Sequence, residues 1–158
     1  MVTAPTRRRK FWGWGFEDQQ PPHEQVEAAG AAARAHLGFE PTVVERPATL
    51  DDVSLPAARL EPPSSLREVC ATDAYARASH AYGKSYRDVV RAFRGRFDHA
   101  PDVVAHPRDE DQVRAVLEWC ADARAAAIPF GGGTSVVGGV EAAVDERYAG
   151  AVAIDLGR

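Results

Sequence analysis

The chain has 158 residues, 45% hydrophobic and 27% charged, an ordinary globular composition that excludes a disordered polypeptide and is long enough for one domain with a real core. A formal net charge of -4 and a pI near 5.7 give no general electrostatic reason to bind nucleic acid or an anionic membrane. No apolar run approaches the roughly 20 residues of a membrane span, and none follows the basic start as a signal peptide requires, so no transmembrane segment and a cytoplasmic location are expected.

The first feature in chain order is a basic cluster, Arg7, Arg8, Arg9 and Lys10, which reads as a solvated N-terminal tail. Phe11, Trp12, Trp14 and Phe16 follow. Burying one such side chain is worth roughly 1.5–3 kcal/mol, so all four are expected to dock on the body, as packing rather than as the lining of a lipid entrance. Pro21 and Pro22 then open an alanine-rich helix from about Glu24 to Leu37 that stops at Gly38. A proline-dense loop runs to about Pro63. Ser64 and Ser65 are candidate caps for renewed helix, the stretch LREVCATDAYARASHAY is helix-like and polar, and Ser85 caps a helix through Val89, Val90 and Phe93 that stops at Gly95.

After Pro101 the pattern changes to strand, helix, strand. Val103, Val104 and Ala105 form a short apolar run, and Asp109 with Gln112 three residues later gives a start resembling a capping box. Val113, Val116, Leu117 and Cys120 repeat at the spacing of one buried helix face, and Ile128 to Phe130 reads as a second strand. Ala151 to Ile154 reads as a third. The predicted fold class is α+β, with a helical and loop region over residues 1–100 followed by a βαβ unit over 101–158.

The second strand runs directly into GGGTS, residues 131 to 135, at the strand ends where α/β sheets place ligands. Glycine loses more conformational entropy on folding than any other residue, so three in a row point to a backbone shape or a close approach that a Cβ would forbid. Converging backbone N–H groups would bind an anion, with Thr134 and Ser135 adding hydroxyls, which favours a diphosphate. A flexible glycine turn is the alternative. The dinucleotide fingerprint G-x-G-x-x-G fails at Val136, which disfavours a standard Rossmann site. Gly83-Lys84-Ser85 imitates the end of a P-loop, but Ala78 stands where that motif needs glycine and no strand precedes it.

Cys70 and Cys120 lack disulfide or zinc spacing and are expected to be buried free thiols. His23, His36, His80, His99 and His106 show no ligand or triad spacing, so no metal site and no catalytic residue is assigned; His80 alone sits in a segment of further interest.

PDVVAHP at 101 to 107, the helix beginning RDEDQVRAVLEWC, and PFGGGTSVVGG at 129 to 139 together resemble the first subdomain of the PCMH-type FAD-binding domain of the vanillyl-alcohol oxidase and p-cresol methylhydroxylase superfamily. KFWGWGFED at 10 to 18 and HAYGKSYRDVVRAFRGRF at 80 to 97 resemble the region before the flavin domain in alkylglycerone-phosphate synthases and bacterial FAD-linked oxidases. The resemblance implies that Pro129, Phe130, Gly131, Gly132, Gly133, Thr134 and Ser135 lie along the FAD diphosphate. Phe130 departs slightly, an aliphatic residue being common there. Thr134 stands where many superfamily members carry a flavin-linking histidine, so the implied FAD is non-covalent.

The implied activity is redox-neutral exchange of acyl for alkyl on acyl-dihydroxyacetone phosphate, through a flavin adduct, in ether lipid synthesis. The alternatives are flavin-linked oxidation of an alcohol or 2-hydroxy acid, and a truncated, non-catalytic binding module; a P-loop nucleotide hydrolase is the weakest. A small-molecule or lipid substrate is expected, with a possible homodimer. The family's second flavin subdomain, substrate cap and catalytic residues lie beyond position 158, so residues 1–158 alone are expected to be an inactive N-terminal portion that holds FAD poorly.

Overall fold

The computed structural model describes residues 7–38 and 43–157. Four helices and four strands form it: α1 (His23–Leu37), β1 (Cys70–Ala71), α2 (Ala74–Ser79), α3 (Tyr86–Phe93), β2 (Val103–Ala105), α4 (Glu110–Asp122), β3 (Ala125–Phe130) and β4 (Gly150–Asp155). This is the α+β class expected from the sequence. The strands make one mixed sheet in the order β1-β2-β4-β3, with β1 antiparallel to β2 and the other pairs parallel. The β2-α4-β3 unit leaves a gap that β4 fills, so β4 has a neighbour on each side and Gly150 to Ile154 are all buried.

Side chains alternate across the sheet, as strand geometry requires. Val103 and Ala105 face α4, packing with Val116, Cys120, Val152 and Ile154. Val104 faces the other way, against Ala76 of α2 and Ala153. A second cluster, Phe11, Ala78, Ala81, Tyr82, Ala92 and Phe97, joins the N-terminal segment to α2 and α3.

The helix starts follow the sequence. The Asp73 carboxylate accepts from the Ala76 N–H at 3.0 Å, Ser85 Oγ from Asp88 at 3.1 Å, and Asp109 from Gln112 at 2.8 Å, each satisfying an amide that the first helical turn leaves unpaired. Gly38 ends α1 in the left-handed region at φ 69°.

Several expectations are corrected. Leu117 is 47% exposed, because the stripe of α4 that meets the sheet runs through Val116 and Cys120, flanked by Ala115, Trp119 and Ala123. The stretch from Leu66 to Tyr82 is not continuous helix: a 3-10 turn over Ser64–Val69, strand β1 and the short α2 divide it. Ser64 and Ser65 cap nothing there, Pro63 holding the cap position without a side-chain bond. The basic cluster is no free tail. Arg7 forms a two-pronged bond to Asp18 at 2.9 and 2.8 Å, and the Arg8 guanidinium lies 3.8 Å from the Tyr75 ring centroid. Phe11 and Trp12 dock against Phe97 and Phe93, and Phe16 is half-buried beneath the Arg7 guanidinium. Trp14 is 59% exposed, since the bridge between Arg9 and Phe16 turns it outward between Gly13 and Gly15.

Below the sheet, Asp102 ties the irregular segment before residue 63 to the strands. Its carboxylate is almost fully buried and accepts from the Arg59 guanidinium at 3.1 and 2.9 Å, the Arg59 N–H at 2.7 Å and the Ala151 N–H at 2.7 Å. Burial alone would raise its pKa; the Arg59 and Ala151 donors more than offset that and hold it below the usual carboxylate range.

Candidate functional site

The glycine loop leaves β3 at the C-terminal end of the parallel strands. Phe130 is paired with Asp155, and its carbonyl accepts from the Leu156 N–H at 2.7 Å, which fixes where the loop begins. The three glycines then serve different ends. Gly133 has φ 67°, and a Cβ there would lie 2.7 Å from Cζ of Phe130, so the buried Phe130 ring occupies the space that glycine vacates. Gly131 and Gly132 are exposed and carry no positive φ; a Cβ at Gly131 would meet nothing within 4 Å, and one at Gly132 only the Thr134 methyl at 3.7 Å. The backbone N–H groups of Gly132, Gly133 and Thr134 donate to no acceptor among the described residues. Ser135 is committed to the scaffold: its Oγ accepts from Gly139 at 3.2 Å and its carbonyl from the Lys84 N–H at 2.7 Å.

That last bond joins two stretches the sequence separates. Gly83 packs against the Ser135 carbonyl, where a Cβ would collide. Further along, Arg91 of α3 grips Glu141 at 2.8 and 3.0 Å while also bonding Asp88 at 2.8 Å. The Arg91 guanidinium, with His99 adding to it against the cost of burial, holds the Glu141 carboxyl below its ordinary pKa. The segment HAYGKSYRDVVR therefore frames the loop at its middle and at its far end. The resulting surface is an open wall, Pro129, Thr134, Gly131 and Gly132 all being exposed. A concavity lined by Arg59 and residues 144–148 lies elsewhere.

A polar cluster sits beside the wall at the same strand ends. His106 directly follows β2, Asp155 ends β4, and His80 caps α2. Asp155 Oδ2 is 3.4 Å from His80 Nε2 and 3.2 Å from His106 Nδ1, and the His80 ring lies 4.5 Å from that of Phe130. Burial would raise the Asp155 pKa, but the two imidazoles and the Gly157 N–H bring it far below the usual range. Sequence spacing conceals this cluster, because its members stand at the ends of three different elements; His80 alone lies in the HAYGKS stretch.

Comparison with known proteins finds similarity over the glycine-loop segment. The FAD binding domain family matches residues 101–158, the segment that holds β2, α4, β3, the glycine loop and β4. That segment is similar to an FAD binding domain. Its relatives include the alkyldihydroxyacetonephosphate synthases of Trypanosoma brucei brucei, 38% identical over 112 residues, and Dictyostelium discoideum, 35% over 86 residues. These alignments cover 63% and 54% of this chain but only 18% and 14% of the relatives. A solved alkyldihydroxyacetonephosphate synthase superposes with a TM-score of 0.70 at 22% identity, covering 93% of this chain and 32% of its own, and a second crystal form gives 0.67. The likeness of fold thus extends upstream of the matched FAD binding segment.

The wall fits a diphosphate. Two glycines with free space above them permit close approach, and amides without internal acceptors would supply donors to an anion. All seven residues from Pro129 to Ser135 lie in this segment, but Phe130 and Gly133 act by packing on each other. Among the described residues, no helix is long and apolar enough to cross a membrane.

Proposed function

We propose that residues 129–135 hold the diphosphate of a non-covalent FAD, and that the chain forms part of a flavin-dependent enzyme of the alkyldihydroxyacetonephosphate synthase type. The observation that carries this reading is the free amide row over Gly132, Gly133 and Thr134, on an open glycine wall within a segment similar to an FAD binding domain. When bound, FAD supplies the reactive isoalloxazine for exchange of acyl for alkyl on an acyl-dihydroxyacetone phosphate. The chain's own residues bind and orient. The 132–134 amides would donate to phosphate oxygens, the exposed Thr134 hydroxyl would add a donor, and Gly83 with Arg91 keeps the loop in register. Thr134 has no nucleophilic imidazole to join a flavin, which supports non-covalent attachment.

The test is FAD titration of the protein at its native length, followed by acid precipitation. Saturable binding with flavin released to the supernatant is expected. Flavin retained in the pellet overturns the non-covalent reading, and absence of binding overturns the site.

A further inference from the structure

We propose that His80, His106 and Asp155 form a binding site for a divalent transition metal of the zinc class, independent of the flavin reading. One ligand atom from each of the three lies within 4.8 Å of the other two. Two ligands each about 2.0–2.1 Å from a tetrahedral zinc stand roughly 3.3 Å apart. The carboxylate oxygen stands 3.4 Å from one imidazole nitrogen and 3.2 Å from the other, so two of the three edges already have that length.

The orientation of the rings supports a metal over simple packing. His80 Nδ1 is 2.8 Å from the Ala76 carbonyl, which can only accept, so that nitrogen carries the hydrogen and Nε2 faces Asp155. Such an outer bond from a ligand imidazole to a backbone carbonyl is the usual means of fixing its tautomer at a metal. His106 Nδ1 is buried and makes no aligned hydrogen bond among the described residues, despite its nearness to Asp155. A buried ring nitrogen without a partner is costly unless something else satisfies it. The main chain holds all three residues: the His106 N–H donates to Val69 at 2.7 Å, and Asp155 Oδ1 accepts from Gly157 at 2.9 Å. Three protein ligands leave a fourth position for water or another oxygen donor. A bound ion would staple α2, β2 and β4 together next to Phe130.

Cobalt(II) provides a spectroscopic probe for a tetrahedral nitrogen and oxygen site. Titration of the purified, metal-stripped chain with cobalt chloride is expected to give one equivalent of saturable visible absorption, displaced by zinc. Zinc at a hundredfold above Kd should raise Tm by roughly 5–10 °C. His106→Gln and Asp155→Asn should abolish the cobalt band, whereas His23→Gln and His99→Gln should keep it. His80→Gln provides a third arm should Asp155→Asn fail to fold, with circular dichroism checking each variant. No saturable band, or a band unchanged in His106→Gln and His80→Gln, would overturn the site and leave the cluster as a hydrogen-bonded packing element.

Discussion

Gly83 and Ser135 are in such close contact that a Cβ on Gly83 would lie 2.9 Å from the Ser135 carbonyl carbon. The adjoining Lys84 N–H donates to the carbonyl oxygen at 2.7 Å. The glycine of HAYGKS is therefore a spacing device for the glycine loop and no part of a P-loop. Gly83→Ala should push the loop away, at a cost of about 1–3 kcal/mol in stability as for other overpacked sites. Urea unfolding checks the stability, and weaker FAD binding by the native-length protein checks the loop. Unchanged values in both would show that the contact opens freely.

The glycine triplet separates into two kinds of variant. Gly133→Ala needs both a positive φ and the space of the Phe130 ring, so it should destabilise the fold whether or not ligand is present. The Cβ of Gly132→Val meets only the Thr134 methyl at 3.7 Å, on an exposed residue, so its thermal midpoint should stay within a degree or two, as for other surface changes of about 0.5 kcal/mol or less. Its FAD affinity should fall about tenfold or more, the equivalent of one lost hydrogen bond to a charged group. Flavin fluorescence titration distinguishes the two; an unaltered affinity in Gly132→Val removes the loop from the site.

Much of this arrangement could be read in the sequence because its signals are local. Asp109, Ser85 and Gly38 announce helix boundaries by side-chain oxygen or by glycine, and the βαβ periodicity located the loop. What escaped was either short or non-local. Strand β1 is two residues, Cys70–Ala71, and exists only because β2 offers it a pairing edge. Ala125 to Ala127 carry no strand propensity and become β3 by pairing along β4. The His80, His106 and Asp155 cluster needs three elements to end at one place, which no spacing rule encodes.

Both thiols should be slow to react. Burial pushes the Cys70 and Cys120 thiols up to about 11, with Cys70 adding to the effect on Cys120. At neutral pH the thiolate fraction falls more than about a hundredfold below that of a free cysteine near 8.5. Labelling with a disulfide reagent in native buffer should be correspondingly slow and become fast in denaturant. Rapid native labelling of Cys120 would mean that α4 does not pack on the sheet as described.

Acid should loosen the base of the sheet through Asp102. Its folded pKa is depressed below the unfolded value of about 3.9, so its contribution is complete above that value and is lost as pH falls toward the folded one. Glu141 is depressed as well, chiefly by Arg91, and acts in the same direction. Stability by urea unfolding should hold between pH 7 and 5 and decline below about pH 4. Asp102→Ala strands the buried Ala151 N–H and releases Arg59, and should cost about 3 kcal/mol at pH 7, the lower end for breaking a buried pair because Arg59 is half exposed. That variant should also show a shallower decline in acid, since the titrating group is gone. An equal acid slope in the variant and the parent would assign the acid sensitivity to other carboxylates.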